Sequence, residues 1–162
     1  MIDTHYMYRP PVLDADTFAV FIADCRKLLA ALPVEVVLRS EQGVGKPTVS
    51  NRRIGFNGDR ERGLEHEPLV IEQTYTRSPQ DRMRNGVFFD FCKTNGKPYD
   101  IIVVAILYAF IHRLPTCKFV SDSKLAELKP GFDLFFNTCR PSGDLDALFN
   151  RPIVDRMRGD RT

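Results

Sequence analysis

Apolar residues recur every three or four positions along the first part of the chain. They are Phe18, Phe21, Ile22, Cys25, Leu28, Leu29 and Leu32. This spacing is typical of an amphipathic helix with one face on a core. Asp14 or Asp16 is suited to cap the start of the helix, and Pro33 to close it. We therefore predict a helix over Asp16–Leu32.

A second helix has a different pattern, because the stretch that follows Pro98 is apolar nearly all round. Proline is well tolerated at the first helical position, and Asp100 in the first turn complements the helix dipole. We predict a helix over Pro98–Arg113. A helix without a polar side must be covered on both sides, so this one is predicted to lie at the centre of the core.

Short runs rich in β-branched and aromatic residues predict strands. These runs are Val34–Leu38, Arg53–Asn57, Leu69–Tyr75, Val87–Lys93 and Cys117–Val120. Polar loops are expected over Asn57–Glu67 and Thr76–Gly86, where charges and glycines break any period. The predicted fold is α+β: a mainly antiparallel sheet packed on the central apolar helix, with the N-terminal amphipathic helix at its flank.

The C-terminal part has a less regular pattern. After Ser121 we predict a helical turn that is broken at Pro130-Gly131, followed by a second, aromatic-rich piece. The final run carries four arginines against two aspartates and few apolar residues. We predict one α+β domain over residues 1–150 and a loosely ordered, arginine-rich tail over residues 151–162.

Composition narrows the class of protein. The chain has 162 residues, of which 43% are hydrophobic, and its formal net charge is only +2. Such a small charge does not by itself indicate a nucleic-acid or membrane-surface partner. The four cysteines lack a paired CxxC spacing, so they are interpreted as reduced, buried thiols. The longest apolar run, Ile101–Ile111, is shorter than the roughly 20 residues of a membrane span. We expect a cytoplasmic protein.

The turn between the last long strand and the apolar helix is the best candidate for a ligand site. Two ammonium groups, a hydroxyl and a phenol meet a helix start here, from Lys93, Thr94, Lys97 and Tyr99. Such a turn can bind a phosphate or carboxylate, so these four residues are the predicted ligand-binding set. The alternative is a plain helix start, since Asp100 would oppose an anion and Asn-Gly is a common turn.

The ten residues Phe91–Asp100 read FCKTNGKPYD. They resemble the motif F-C-K-T-x-x-K-P-Y-D of an uncharacterised family of bacterial and phage proteins. The surrounding order is also similar, with Phe56-Asn57-Gly58 at a strand end, His66-Glu67 after a charged loop and Ser121-Asp122 after a short strand. The chain departs from the motif at Asn95-Gly96, where small or basic residues are expected. The resemblance implies one domain, and no activity is attached to it.

Catalytic candidates are few. His66, Glu67 and Asp100 carry groups that transfer protons or bind cations near neutral pH. His66 and Glu67 are neighbours, which on a strand point to opposite faces, so a surface or capping role is the alternative. Cys92 would need a base nearby to act as a nucleophile, and no sequence feature places His66 or His112 beside it. We predict no metal site and no cofactor.

The sequence is therefore compatible with two functions. The leading hypothesis is a non-enzymatic binding or inhibitor protein, phage-related, that recognises a protein surface or a small anionic ligand through the Lys93–Asp100 turn and the Asn57–Glu67 loop. The alternative is a metal-dependent enzyme acting on phosphorylated or nucleotide substrates, in which Lys93 and Lys97 hold the phosphate.

The sequence also bears on which partners the protein binds. Acidic residues interleave with most arginines, and no stacking array of aromatic residues is recognisable, which argues against a nucleic-acid partner. No membrane partner is expected. The apolar cluster Phe132, Phe135 and Phe136 would allow a homo-oligomer.

Overall fold

The computed structural model of the chain describes residues 3–75, 83–84 and 87–159. Its elements, in chain order, are β1 (Thr4–Arg9), α1 (Ala15–Ala30), β2 (Leu38–Arg39), β3 (Thr48–Ser50), β4 (Arg53–Gly58), β5 (Leu69–Glu72), β6 (Met83–Arg84), β7 (Val87–Lys93), α2 (Asp100–Arg113), β8 (Lys118–Ser121), α3 (Leu125–Cys139) and α4 (Leu145–Gly159). Helices pack on antiparallel sheets, which confirms the α+β prediction.

Sheet A contains four antiparallel strands in the order β6-β7-β1-β8. Two helices connect its strands, so that the succession is β1–α1–β6–β7–α2–β8. This succession and this order together form the split βαβ arrangement. The consequence is that β1, at the start of the chain, lies in the middle of the sheet between strands that are far away in sequence.

Sheet B lies in the segment between α1 and β6. Its central strand is β4, which pairs antiparallel with β2, β3 and β5. The strand predicted over Val34–Leu38 is shorter and later than expected, since only Leu38–Arg39 pair. Residues 33–36 instead form a turn, in which the Val36 N–H donates to the Pro33 carbonyl.

Helix α2 is the central core helix, as predicted. All ten residues from Ile102 to Ile111 are buried. Tyr108 packs against Phe119 of β8 with ring centroids 5.3 Å apart, and Phe110 lies 5.3 Å from Phe21 of α1. Helix α1 begins as predicted, because the Asp14 carboxylate accepts the Thr17 N–H and hydroxyl. Sheet A and α1 therefore cover different sides of α2.

The predicted break at Pro130-Gly131 is wrong, since α3 is continuous from Leu125 to Cys139 with Pro130 inside it. Packing explains the outcome. A Cβ on Gly131 would lie 2.5 Å from the Val104 side chain, so the glycine lets α3 approach α2 closely. The close packing of the two helices outweighs the backbone hydrogen bond that proline cannot make.

The predicted loose tail also differs from the structure. Residues 151–159 continue α4, which packs along β8, and residues 160–162 lie outside the described residues. Arg151 donates to the carbonyls of Ile111, Pro115 and Cys117, and Arg156 donates to the carbonyl of Ser121. These arginines are therefore fixed by backbone acceptors, which a composition argument cannot detect.

Most of the loop predicted over Thr76–Gly86 lies outside the described residues; within it, Met83 and Arg84 form β6. None of the described helices combines the length and the apolar character needed to cross a membrane.

Candidate functional site

The strands of sheet A present alternate residues to two different environments. On the inner face, towards α2, lie His5 and Met7 of β1, Cys92 of β7, and Phe119 and Ser121 of β8, and all five are buried. On the outer face, Phe91 is 37% exposed, and its neighbours are partly exposed. The predicted Lys93–Asp100 turn connects this sheet to the start of α2.

A polar network lies on the inner face, beneath the first turn of α2. The Asp100 carboxylate is 2.6 Å from Nε2 of His5 and accepts the Thr94 hydroxyl at 2.5 Å. Because an ionised carboxylate only accepts, Nε2 of His5 donates to it. Nδ1 of His5 lies 2.9 Å from the Ser121 Oγ, which also accepts the Ser123 N–H. The network joins β1, β8 and the end of β7 to α2.

The serine, histidine and aspartate of this network have the residue types of a hydrolytic triad, but not its access. Ser121, His5 and Thr94 have no exposed surface, and the Asp100 side chain is 21% exposed. A nucleophile must contact its substrate, and the Ser121 hydroxyl lies beneath the sheet. We therefore interpret the arrangement as a buried hydrogen-bond network that stabilises the fold, in which each polar group has a hydrogen-bond partner.

His66 and Glu67 lie close to the turn, as the enzyme hypothesis requires, but their polar groups bond to the protein itself. Nδ1 of His66 is 2.7 Å from the Lys93 carbonyl, and the Glu67 carboxylate accepts the Lys93 N–H at 2.8 Å. The Glu67 N–H also donates to the Lys93 carbonyl. These bonds tie the segment after the charged loop to the edge of β7, and so join sheet B to sheet A.

The rest of the predicted ligand-binding set is engaged in the same way. Lys97 Nζ donates to the Gly63 carbonyl at 3.1 Å, and the buried Tyr99 hydroxyl donates to the Glu67 carbonyl at 2.5 Å. Burial raises the pKa of the Tyr99 phenol. Burial, followed by the charges of Glu67 and Asp100, also raises the pKa of the Cys92 thiol well above its usual range. Such a thiol is a poor nucleophile.

Lys93 is the exception, because strand alternation directs it to the outer face. Lys93 of β7 is opposite Thr4 of β1. It follows the outward-facing Phe91 by two residues and Phe89 by four. The turn therefore sends one of its predicted ligand-binding cations to the opposite side of the sheet from His5 and Asp100.

The outer face of sheet A carries an array of aromatic rings, which we call the aromatic platform: Tyr6, Tyr8, Phe89 and Phe91. Phe89 occupies its centre, with ring centroids 5.8 Å from Tyr6, 5.3 Å from Tyr8 and 6.0 Å from Phe91. In the antiparallel register Tyr6 is opposite Phe91 and Tyr8 is opposite Phe89. The rings thus cover two adjacent central strands.

A cavity of about 290 Å³ opens at one side of the platform. Its walls are aromatic and apolar side chains of the three strands. Ser121 and Asp122, at the end of β8, and Arg156 of α4 line its polar side. It is near the lower end of the size range of ligand pockets. Helix α4, whose residues 151–159 were predicted to belong to a loose tail, provides one wall.

Three basic residues of the described part of the chain lie around the platform. Lys118 and Val120 of β8 lie opposite Tyr8 and Tyr6, so both face outward with the rings. Lys93 stands at the other end, and Arg156 reaches the cavity from α4. Asp122 is the acidic residue among the cavity's lining groups. The platform is therefore apolar at its centre and positively charged at its rim.

Two other predicted sites can be placed. Within the described residues, no three histidine, cysteine, aspartate or glutamate side chains are grouped so as to hold a metal ion. Of the three phenylalanines proposed for an oligomer interface, Phe132 and Phe135 are buried and Phe136 is 41% exposed. Most of the apolar area of that cluster is used in the core.

Sequence reasoning missed the platform, and therefore recognised no stacking array for a nucleic acid, because it did not recognise β1. The signal was present in the alternation of Tyr6 and Tyr8 with His5, Met7 and Arg9, which is typical of a two-faced strand. Without β1, the aromatic residues of β7 had no partners, and His5 had no relation to Asp100.

Comparison with known proteins adds no relative. The chain matches no family model, and neither a curated protein nor a solved structure matches it.

Proposed function

We propose that this protein is a non-enzymatic binding module whose aromatic platform binds single-stranded nucleic acid. The observation that carries the proposal is the array of four aromatic rings on the outer face of β1 and β7. Outward-facing aromatic residues on the two central strands of a four-stranded sheet are a recurrent device for stacking unpaired bases. The proposal therefore rests on an analogy with such sheets in surface geometry and chemistry.

The composition of the outer face favours a strand of nucleic acid as the ligand, and not an apolar protein surface. Phe91 is 37% exposed and sits among partly exposed tyrosines, so rings are accessible to a planar ligand. Lys93 and Lys118 lie at the rim of the rings, where phosphates would pass. Stacking on aromatic rings contributes about 1–3 kcal/mol per base and tolerates any sequence. Cations at the rim add a salt-dependent attraction.

The alternatives suggested by the sequence receive less support from the contacts. A phosphate-binding turn would need Lys97 and the first N–H groups of α2, but Lys97 donates to the Gly63 carbonyl, and the N–H groups of Asp100, Ile102 and Val103 donate to backbone carbonyls. An enzyme would need His66 and Glu67 to face a substrate, and both bond to the Lys93 backbone. We therefore place recognition on the outer face of sheet A.

The test is fluorescence anisotropy with a labelled oligo(dT) of about 12 nucleotides, a length within the range bound by single-strand modules. Tyr6→Ala and Phe91→Ala each remove one stacking ring, so each should raise the dissociation constant by about 5-fold or more, since the loss is about 1–3 kcal/mol. Circular dichroism and urea unfolding would establish that each variant is folded.

Phe136→Ala is the matched control, because Phe136 is a similarly exposed phenylalanine on α3, away from sheet A. It should leave the affinity unchanged. Absence of oligonucleotide binding by the wild-type protein at low salt would refute the proposal. Equal losses in Phe91→Ala and Phe136→Ala would show that the platform is not the binding surface.

A further inference from the structure

The cavity beside the platform has a polar end whose chemistry is specific. Tyr6, Tyr8, Phe89 and Val120 form its apolar walls. Asp122 and Arg156 close it on the polar side, together with Ser121, whose carbonyl accepts from Arg156. A planar base that stacks on the rings would therefore have its edge against a carboxylate and a guanidinium. A carboxylate accepts hydrogen bonds and a guanidinium donates them. A ligand that bonds to both must therefore offer donors to Asp122 and acceptors to Arg156.

Backbone contacts fix both groups at the cavity. One carboxylate oxygen of Asp122 accepts the Thr4 N–H at 2.8 Å, and the Asp122 N–H donates to the Thr4 carbonyl at 3.1 Å. One nitrogen of Arg156 donates to the Ser121 carbonyl at 3.0 Å. A carboxylate has about four acceptor positions and a guanidinium five donors. Each group thus keeps hydrogen-bonding capacity beyond these backbone bonds, which set its position.

An acidic group at this place argues against a phosphate in the cavity, because two anions repel one another. It favours an edge with adjacent N–H donors. Guanine has such an edge, with its ring N1–H beside its N2 amino group, and it also has the O6 and N7 acceptors that arginine binds as a pair. Adenine and cytosine offer an amino group without a neighbouring N–H on the same edge.

We infer that this cavity selects a guanine base, with Asp122 accepting from its N1–H and N2 amino groups and Arg156 donating to its acceptor edge. The inference rests on the proposed binding of single strands by the aromatic platform and gives that surface a preferred base. The same chemistry could be supplied by a guanine within a strand or by a free guanine nucleotide.

The experiment measures anisotropy for oligo(dT) strands of about 12 nucleotides, a length within the range bound by single-strand modules, that differ only in one central base: guanine, inosine, adenine or thymine. Inosine keeps the N1–H and O6 but lacks the N2 amino group. The guanine strand should bind about 5-fold or more tighter than the adenine and thymine strands, as expected for one paired base contact, and inosine should lie between them.

Asp122→Asn should abolish this order, so that the guanine, inosine, adenine and thymine strands bind with similar affinity. The amide oxygen can still accept the Thr4 N–H, so the variant keeps that backbone contact. Asp146→Asn, an exposed aspartate in the first turn of α4, is the control and should retain guanine preference. A thermal-shift titration with guanosine and cytidine monophosphates tests the free nucleotide.

The outcomes separate the two proposals. Equal binding of all four strands would overturn the guanine inference and leave strand binding intact. A guanine preference that persists in Asp122→Asn would overturn the role of this carboxylate. If no strand binds but guanosine monophosphate does, and Asp122→Asn removes that binding, the guanine pocket stands and strand binding falls. Failure of every ligand would overturn both.

Discussion

The inner and outer faces of sheet A use alternate residues of the same strands, and both are rich in aromatic and polar groups. On the inner face the rings and polar groups are buried: Phe119 and Ser121 have no exposed surface. On the outer face Phe91 is 37% exposed. The period of two along a strand thus separates residues that stabilise the fold from residues that are available to a ligand.

The polar residues make the same distinction. His5 is buried and bonded on both ring nitrogens, to Asp100 and to Ser121. Lys118 on β8 is exposed beside the rings. Buried polar groups are costly unless they are satisfied, so we interpret the inner network as structural. Exposed aromatic rings stabilise the fold less than buried ones do, and their grouping on one face is the observation on which we base the proposed binding function.

The largest expected difference between the faces concerns stability. Phe119→Ala should lower the free energy of unfolding by about 3–5 kcal/mol, the usual cost of removing a fully buried phenylalanine. The ring packs edge-on against both Tyr108 and His5, so its removal leaves a cavity beside these two side chains. Urea unfolding, monitored by circular dichroism, measures the change.

Phe91→Ala provides the matched comparison on the outer face. It should cost about 1 kcal/mol, the contribution of one aromatic pair, since Phe91 lies 6.0 Å from Phe89 and is partly exposed. Comparable losses of stability in Phe91→Ala and Phe119→Ala would remove the contrast between the faces, and with it the argument that the platform is reserved for a ligand.

An effect smaller than that of Phe119→Ala should follow from loosening the inner network. Ser121→Ala leaves Nδ1 of His5 without its partner in the network, so we expect a loss of about 1–3 kcal/mol in unfolding free energy. Ser142→Ala, at an exposed position before α4, should change stability little. Oligonucleotide affinity should be the same in both variants. An esterase activity of the wild-type protein that Ser121→Ala abolishes would contradict the structural interpretation.

How far the sequence predicts this molecule depends on the range of the contacts involved. Strand β7 was predicted with the bounds that the structure has, because its alternation is complete within seven residues. Strand β1 was missed, since its partners β7 and β8 lie far along the chain and no local turn announces them. Likewise, the prediction of a break at Pro130-Gly131 took no account of the packing of Gly131 on Val104, which is far away in sequence.

The candidate site shows the same limit. The sequence drew attention to the turn that contains Lys93 and Asp100, but could not tell that these two residues serve opposite faces of the sheet. It also could not place His5 and Ser121 beside Asp100, because only the pairing of β1 with β8 brings them together. Residue types were visible in the sequence, while their convergence depended on long-range strand order.

The smallest expected effect concerns the rim of the platform and is measured as a salt dependence. If Lys118 contacts one phosphate, Lys118→Ala should weaken oligonucleotide binding a few-fold and reduce the slope of log affinity against log salt by about 0.7, the value for one phosphate of a single strand. Lys46→Ala is the control, since this exposed lysine precedes β3 of sheet B.

An unchanged slope in Lys118→Ala would place the backbone of the nucleic-acid strand elsewhere on the face. Equal reductions of the slope in Lys46→Ala and Lys118→Ala would mean that the protein attracts nucleic acid through its overall charge, and the outer face would then hold no privileged position over the rest of the surface.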